Sequence, residues 1–502
     1  MRLRKSVLLF CFLLPGIFVY AQDDEAPANF CGYSGFSPWL DWYQRNTGLF
    51  DRDDADTAWL YVPMTLHIVG KDEGNSYYPL DRALAAVCGM NEQYEPLRIR
   101  FYLKPGDEVR YHNNTSWYEH DWSGGSDMIN TASAGIKNRL NAFIVGDPAG
   151  NCGYSWKDVI VLKKSCSGAG NTTWAHEAGH HFSLPHPFSG WEDYEWNYSK
   201  PAPKYVNGRE VEKTDRSNCF TGGDRFCDTD PDYLSDRWSC TSEFRSNTVQ
   251  IDPDSISFRS DATLYMGYAN DACASRFTTE QQAAIRANLQ DEHKNYLQIT
   301  QPLTGIDDDA QVELISPVDT LTPVHYNQIE FKWNKIANAK YYVVEIGLNS
   351  KFSPILFSQT VIDGSNLVMS KSLPNNMNLY WRVKAYNGWD VCQPFDNAQT
   401  GVFHTKNLSY TNELEKTTII ELLPNPVFSG IPALLNIQST SGMNLSLKVC
   451  DAAGRICYQS QMQVYTGDNQ FEIPTAGLSA GTYSVFLQNE KGATVKRLAI
   501  LE

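Results

Sequence analysis

His176-Glu177-Ala178-Gly179-His180-His181-Phe182-Ser183-Leu184-Pro185-His186 decides how the rest of the chain is read. Only ten histidines occur in 502 residues, and four of them fall within this stretch. On a helix, His176 and His180 sit four apart, so both imidazoles leave one face and can share a metal. Glu177 stands beside the first ligand, where it reaches a metal-bound water and can take its proton. Pro185 cannot continue the helix, so the chain bends there and can bring His186 in as a third nitrogen. Three neutral ligands leave a fourth position for water, the catalytic rather than the closed structural arrangement of zinc. The bland alternative is a helix whose histidines are ordinary surface or core residues. His181 falls off the ligand face and reads as a packing or supporting residue.

The pattern His-Glu-x-x-His-x-x-Gly-x-x-His resembles that of the metzincins, and within them the pappalysin family. Leu264-Tyr265-Met266-Gly267-Tyr268 resembles the methionine turn that follows the helix in that family. Cys273 and Arg276-Phe277-Thr278-Thr279-Glu280-Gln281-Gln282 are similar to its closing segment. Tyr61-Val62-Pro63-Met64-Thr65-Leu66-His67-Ile68-Val69 resembles its first strand, and Gly223-Asp224-Arg225-Phe226-Cys227-Asp228-Thr229 its Gly-Asp-x-x-Cys-Asp-Thr stretch. The likeness covers residues 59–298 and implies a fold class of α+β or α/β type, a twisted mixed sheet carrying a zinc helix. It implies zinc on His176, His180 and His186, with Glu177 as the base in hydrolysis of protein or peptide substrates. Met266 would form a floor under the metal, and Tyr268 would donate to the oxyanion; each could equally be a packing residue. Asp224 and Asp228, beside Asp230, would contribute to a calcium site, against the alternative of an acidic surface loop. Asp271, just past the turn, would select Arg or Lys in a specificity pocket. Ser183 departs from the pattern, standing where glycine normally takes the left-handed conformation that ends the helix.

The chain opens with Met1-Arg2-Leu3-Arg4-Lys5 and an apolar run to Tyr20, which reads as a signal peptide over 1–21. That run is short for a membrane span and holds Pro15-Gly16; no later stretch is long and apolar enough to cross a bilayer. A formal charge of −16 argues against nucleic-acid binding. Of twelve cysteines, Cys11 lies in the leader, so an odd number remains for an oxidising compartment. Cys152 and Cys166 flank the strand before the zinc helix and could pair. For Cys219, Cys227, Cys240 and Cys273 the sequence permits three connectivities, and the family resemblance suggests Cys219–Cys240 with Cys227–Cys273. Cys31, in Phe30-Cys31-Gly32, falls in a short pro-segment over 22–58. By resemblance it would be a zymogen ligand filling the fourth zinc position; the alternative is a disulfide with Cys88 or another thiol.

Alternation near 60–69, 99–103, 143–145 and 159–162, with a helical face at Leu80, Leu84, Val87 and Cys88, predicts strands and helices ahead of the zinc helix. The aromatic stretch 190–216 reads as a long loop near the cleft, either binding substrate or packed as a flap. The peptidase-like region is set at 59–300 and a linker at 301–311. A 312–408 β-sandwich resembling fibronectin type III follows, with Trp333 and Tyr386 as core aromatics. Leu423-Pro424-Asn425-Pro426-Val427, Asp451-Ala452-Ala453-Gly454-Arg455 and Leu478-Ser479-Ala480-Gly481-Thr482-Tyr483 resemble the sorting domain of the Por (type nine) secretion system. Residues 415–502 are therefore expected to form a second all-β domain that engages that machinery, giving a secreted or surface-attached product. The rival to a secreted zinc endopeptidase is a surface adhesin with a structural zinc. A zinc amidase acting on cell wall is a third reading, and no wall-binding repeat supports it.

Overall fold

The computed structural model describes residues 36–50, 58–393, 398–407, 418–489 and 492–502. The leader and Cys31 lie outside them. The helix α1 (Pro38–Arg45) begins after the Ser37 cap and buries Trp39, Leu40 and Tyr43. This part of the expected pro-segment joins the main apolar core, with Leu40 fully enclosed.

The central sheet is built on β1 (Leu60–Gly70), which is buried at every position because both its faces are covered. After α2 (Leu80–Tyr94), β2 (Ile99–Leu103) and β3 (Val109–Asn113) pair with successive stretches of β1, both parallel. On the other side lie β4 (Leu140–Val145) and β6 (Val159–Lys163), also parallel, and the edge strand β5 (Gly153–Trp156) runs antiparallel to β6. One face packs Val62, Met64, Leu66 and Ile68 against α2 and the histidine helix α3 (Thr173–His181). The other packs Phe143, Val145 and Val161 against Met128 and Ile129 of a helix spanning Trp122–Ala132. The strands and helices anticipated ahead of α3 are thus present, in a mixed α/β sheet.

After α3 the chain is largely irregular until α4 (Thr279–Asp291), which starts on a capping box formed by Thr278 and Gln281. Disulfides hold this stretch. Cys152–Cys166 pairs as anticipated, but the pairing suggested by resemblance is corrected: Cys219 bonds Cys227 and Cys240 bonds Cys273. The backbone of Thr221 and Gly222 hydrogen-bonds to the carbonyl of Asn218, turning the chain so that Cys219 and Cys227 meet at a Cα separation of 5.0 Å. Cys88 bonds Cys392, which removes it as a partner for Cys31.

Two β-sandwiches follow. The first sets strands Leu314–Ser316, Ile329–Trp333 and Asn366–Met369 against five others, of which Tyr341–Gly347 and Met377–Tyr386 are central. Trp333 and Trp381 fill its interior, whereas Tyr386 packs instead into the core of the preceding domain. The expected linker is not free either: the Ile306 amide donates to Asp390 at 2.6 Å, and Leu303 packs by Trp389. Among the described residues no helix is long and apolar enough to cross a membrane.

Candidate metal centre

α3 is anchored at its start by Asp271. Its carboxylate accepts from Thr172 N at 3.2 Å, Thr172 Oγ1 at 2.8 Å and Asn171 Nδ2 at 2.8 Å, and pairs with Arg237 at 3.0 Å. Burial works against its charge, but the Thr172 and Asn171 hydrogen bonds and the Arg237 guanidinium outweigh that and hold the carboxyl below its usual range. The structure thus engages Asp271 with the N-terminus of the helix, where a negative charge also complements the helix dipole.

His176, His180 and His186 are all buried and converge. The Nε2 of His180 is 3.1 Å from that of His176 and 3.0 Å from that of His186. Each ring is oriented through its other nitrogen. His176 Nδ1 lies 2.7 Å from the Tyr265 carbonyl, His180 Nδ1 2.6 Å from the Leu184 carbonyl, and His186 Nδ1 3.3 Å from Glu192 Oε1. Those partners only accept, so the three Nδ1 atoms carry the protons and the three Nε2 lone pairs face one another. Burial lowers the pKa of His176 to about 4, and burial with the neighbouring imidazoles places His180 and His186 well below the ordinary histidine range. Neutral imidazoles in that state are metal ligands in waiting.

The turn to His186 works without glycine. Ser183 takes the left-handed conformation at φ 73°, and the Leu184 amide bonds back to the Gly179 carbonyl at 2.9 Å. Asn288 Nδ2 donates to Ser183 Oγ at 3.2 Å, a contact glycine could not offer. Met266 is fully buried beneath the helix. A Cβ on Gly179 would stand 2.4 Å from its sulfur, so only glycine admits the methionine there. Glu177 is 1% exposed and lies along Gly153 of β5, where a Cβ would meet its Oε1 at 2.8 Å. The Tyr268 ring sits 5.0 Å from that of His186 and 5.8 Å from that of His176.

A second polar cluster lies in the irregular stretch. Asp224 Oδ1 accepts from Phe226 N at 3.0 Å and Thr229 Oγ1 at 2.8 Å, while Asp228 Oδ2 accepts from Glu280 N at 2.8 Å. Asp224 Oδ2, Asp228 Oδ1 and both carboxylate oxygens of Glu212 are buried without a hydrogen-bond partner. Burial, with the Asp224 charge adding to it, pushes Glu212 up; burial, with Asp228 and Glu280 adding, pushes Asp224 up. Asp230, by contrast, is spent on ion pairs with Arg216 and Arg245. Glu212 and Glu192 escaped the sequence reading. Neither stands at a motif spacing, and only the folded loops bring them to the clusters they join.

Among solved structures, a mutant of Tannerella forsythia promirolysin is 16% identical, with 52% of this chain and 93% of that chain covered at a TM-score of 0.37. A biofilm-associated protein BSP domain (13% identity, 38% and 29% covered) and dimeric latent PorU from Porphyromonas gingivalis (13%, 39% and 20%) both overlay at a TM-score of 0.16. Overlays this loose carry no weight for fold or activity. No curated protein matches the chain. Residues 421–501 match the family described as a secretion system C-terminal sorting domain, which marks the chain for secretion or cell-surface attachment through the type nine system.

Proposed function

We propose that this chain is a secreted zinc endopeptidase of the pappalysin type. The carrying observation is the set of three buried Nε2 lone pairs that converge, His180 Nε2 lying 3.1 Å from that of His176 and 3.0 Å from that of His186. Three acceptors so close repel one another unless a cation lies among them, and three neutral imidazoles suit zinc while leaving a coordination position open. Zinc bound there would polarise a scissile carbonyl and acidify a water.

The chain's own residues do the rest. Glu177 takes the proton of the attacking water and passes it to the leaving amine. Its burial against β5 keeps the carboxylate beside the strand at the sheet edge, where an extended peptide can add by backbone hydrogen bonds. Tyr268, whose ring lies beside those of His186 and His176, would donate to the developing oxyanion. Met266 packs under Gly179 and steadies the helix that carries two ligands. The buried, partnerless oxygens of Glu212, Asp224 and Asp228 would bind a hard cation such as calcium only if the loops drew them closer, since among the described residues only the three histidines gather ligand atoms within 4.8 Å of one another. The first sandwich resembles fibronectin type III and braces this unit.

Peptide-library cleavage by the wild type and Glu177→Gln, with chelation and zinc re-addition, tests the reading. Glu177→Gln should retain one zinc and lose cleavage by about 10²–10⁴-fold. Full activity in that variant would overturn the mechanism, and absence of cleavage by the zinc-loaded wild type would favour a binding protein.

A further inference from the structure

His176 and His180 are oriented by backbone carbonyls, whereas His186 is oriented by the carboxylate of Glu192. That carboxylate is itself fixed, since its Oε2 accepts from the Gly190 amide at 2.6 Å. Asn207 Nδ2 reaches both the Gly190 and the Glu192 carbonyls at 3.0 Å, tying the loop that carries the acid. The Glu192 side chain is 19% exposed, so water competes little for its contact with the fully buried His186 ring.

We propose that Glu192 is a positioning residue that sets the metal affinity of His186. An imidazole whose Nδ1–H is held by a carboxylate has a more electron-rich Nε2 than one held by a carbonyl. The same contact fixes the ring against rotation. His186 is also the ligand outside the helix, delivered by a turn rather than by helical spacing, so it gains most from a separate anchor. Glu192 thereby supplies the rigidity that α3 gives the other two. The inference rests on the zinc reading above.

The test is zinc affinity of the full chain, by competition with a chromophoric chelator, for wild type, Glu192→Gln and Glu192→Asp. Glu192→Gln should weaken zinc binding about 10–100-fold, the usual cost of losing such a supporting carboxylate, with Tm of the zinc-free protein unchanged. Glu192→Asp, which keeps the charge but shortens the reach, should fall between. With cobalt in place of zinc, the visible absorption bands should shift in Glu192→Gln, which a merely structural role would not produce. Equal affinity and spectra in all three proteins would overturn the proposal while leaving the metal site standing. A wild type that binds no zinc would defeat the underlying reading instead.

Discussion

The two β-sandwiches thread their strands in the same order, three in one sheet and five in the other, yet they relate to the rest of the molecule differently. The first shares its core with the mixed sheet: Tyr341, Val343, Tyr386 and Val391 belong to the same buried cluster as β1 and α2. Arg100 of β2 stacks on Trp389 at 4.1 Å and pairs with Asp390 at 3.2 Å, Lys340 pairs with Glu108 at 2.8 Å, and Cys88–Cys392 closes the joint. Among the described residues the second meets the first through Lys448–Glu330 at 2.8 Å, a hydrogen bond from Gln359 to the Ala453 carbonyl and the close approach of Gly454 to Val368, with no shared apolar cluster. Topology alone therefore says nothing about role. The contacts distinguish a brace that completes a domain from a sorting module.

The largest expected effect follows from cutting at each joint. A chain ending at 407 should show the same proposed peptide cleavage as the full chain and the same Tm of the first two domains within error. A chain ending at 300 uncovers apolar surface that four buried side chains now protect. At about 1.5–3 kcal/mol each, that loss is comparable to the stability of a whole domain. It should be insoluble or unfolded by circular dichroism. A stable, active 300-residue form would make the first sandwich a mere spacer and erase the contrast.

How far the sequence foretold this depends on range. The convergence of the three histidines was legible because its spacing is local: helical geometry aligns His176 and His180, and Pro185 forces the bend to His186. Ser183 looked like a defect, since the sequence does not reveal the compensating bond from Asn288. The sheet strands were legible from apolar runs. The Cys152–Cys166 pair was legible, but the pairing of the other four was not, because Cys219 and Cys227 meet through a loop whose turn no local pattern announces. Tyr386 was assigned to the wrong core for the related reason that alternation marks which face is buried, not what buries it. Asp271, expected in a pocket, is held by Thr172 and Asn171, far from it in sequence.

A middling effect should come from opening the covalent part of the joint. Cys88→Ser should cost about 2–5 kcal/mol, a Tm decrease of about 3–7 °C in a braced unit of this size. Cys392→Ser should match it, and the double variant should be no worse, since both remove one bond. A double variant clearly worse than either single one would show the two cysteines acting independently. Zinc binding should survive in all three, because the triad lies on α3 and its following turn.

The smallest effect concerns the second sandwich, whose two cysteines, unlike Cys392, are free thiols. Cys450 is buried and its thiol is pushed up to about 12, first by burial and then by Cys457; Cys457 is exposed, with its pKa raised mainly by its partial burial and by Asp451. Only the thiolate reacts with an alkylating reagent, so labelling of either should accelerate about tenfold for each pH unit below its pKa. At equal pH Cys457 should label slowly in the native protein, and Cys450 only as fast as the sandwich opens. Trypsin cuts after Lys448 and Arg455, putting the two on separate peptides whose masses report each rate. Native labelling of Cys450 as fast as Cys457 would mean that the sorting domain opens freely. The shared strand order would then conceal a difference in stability as well as in attachment.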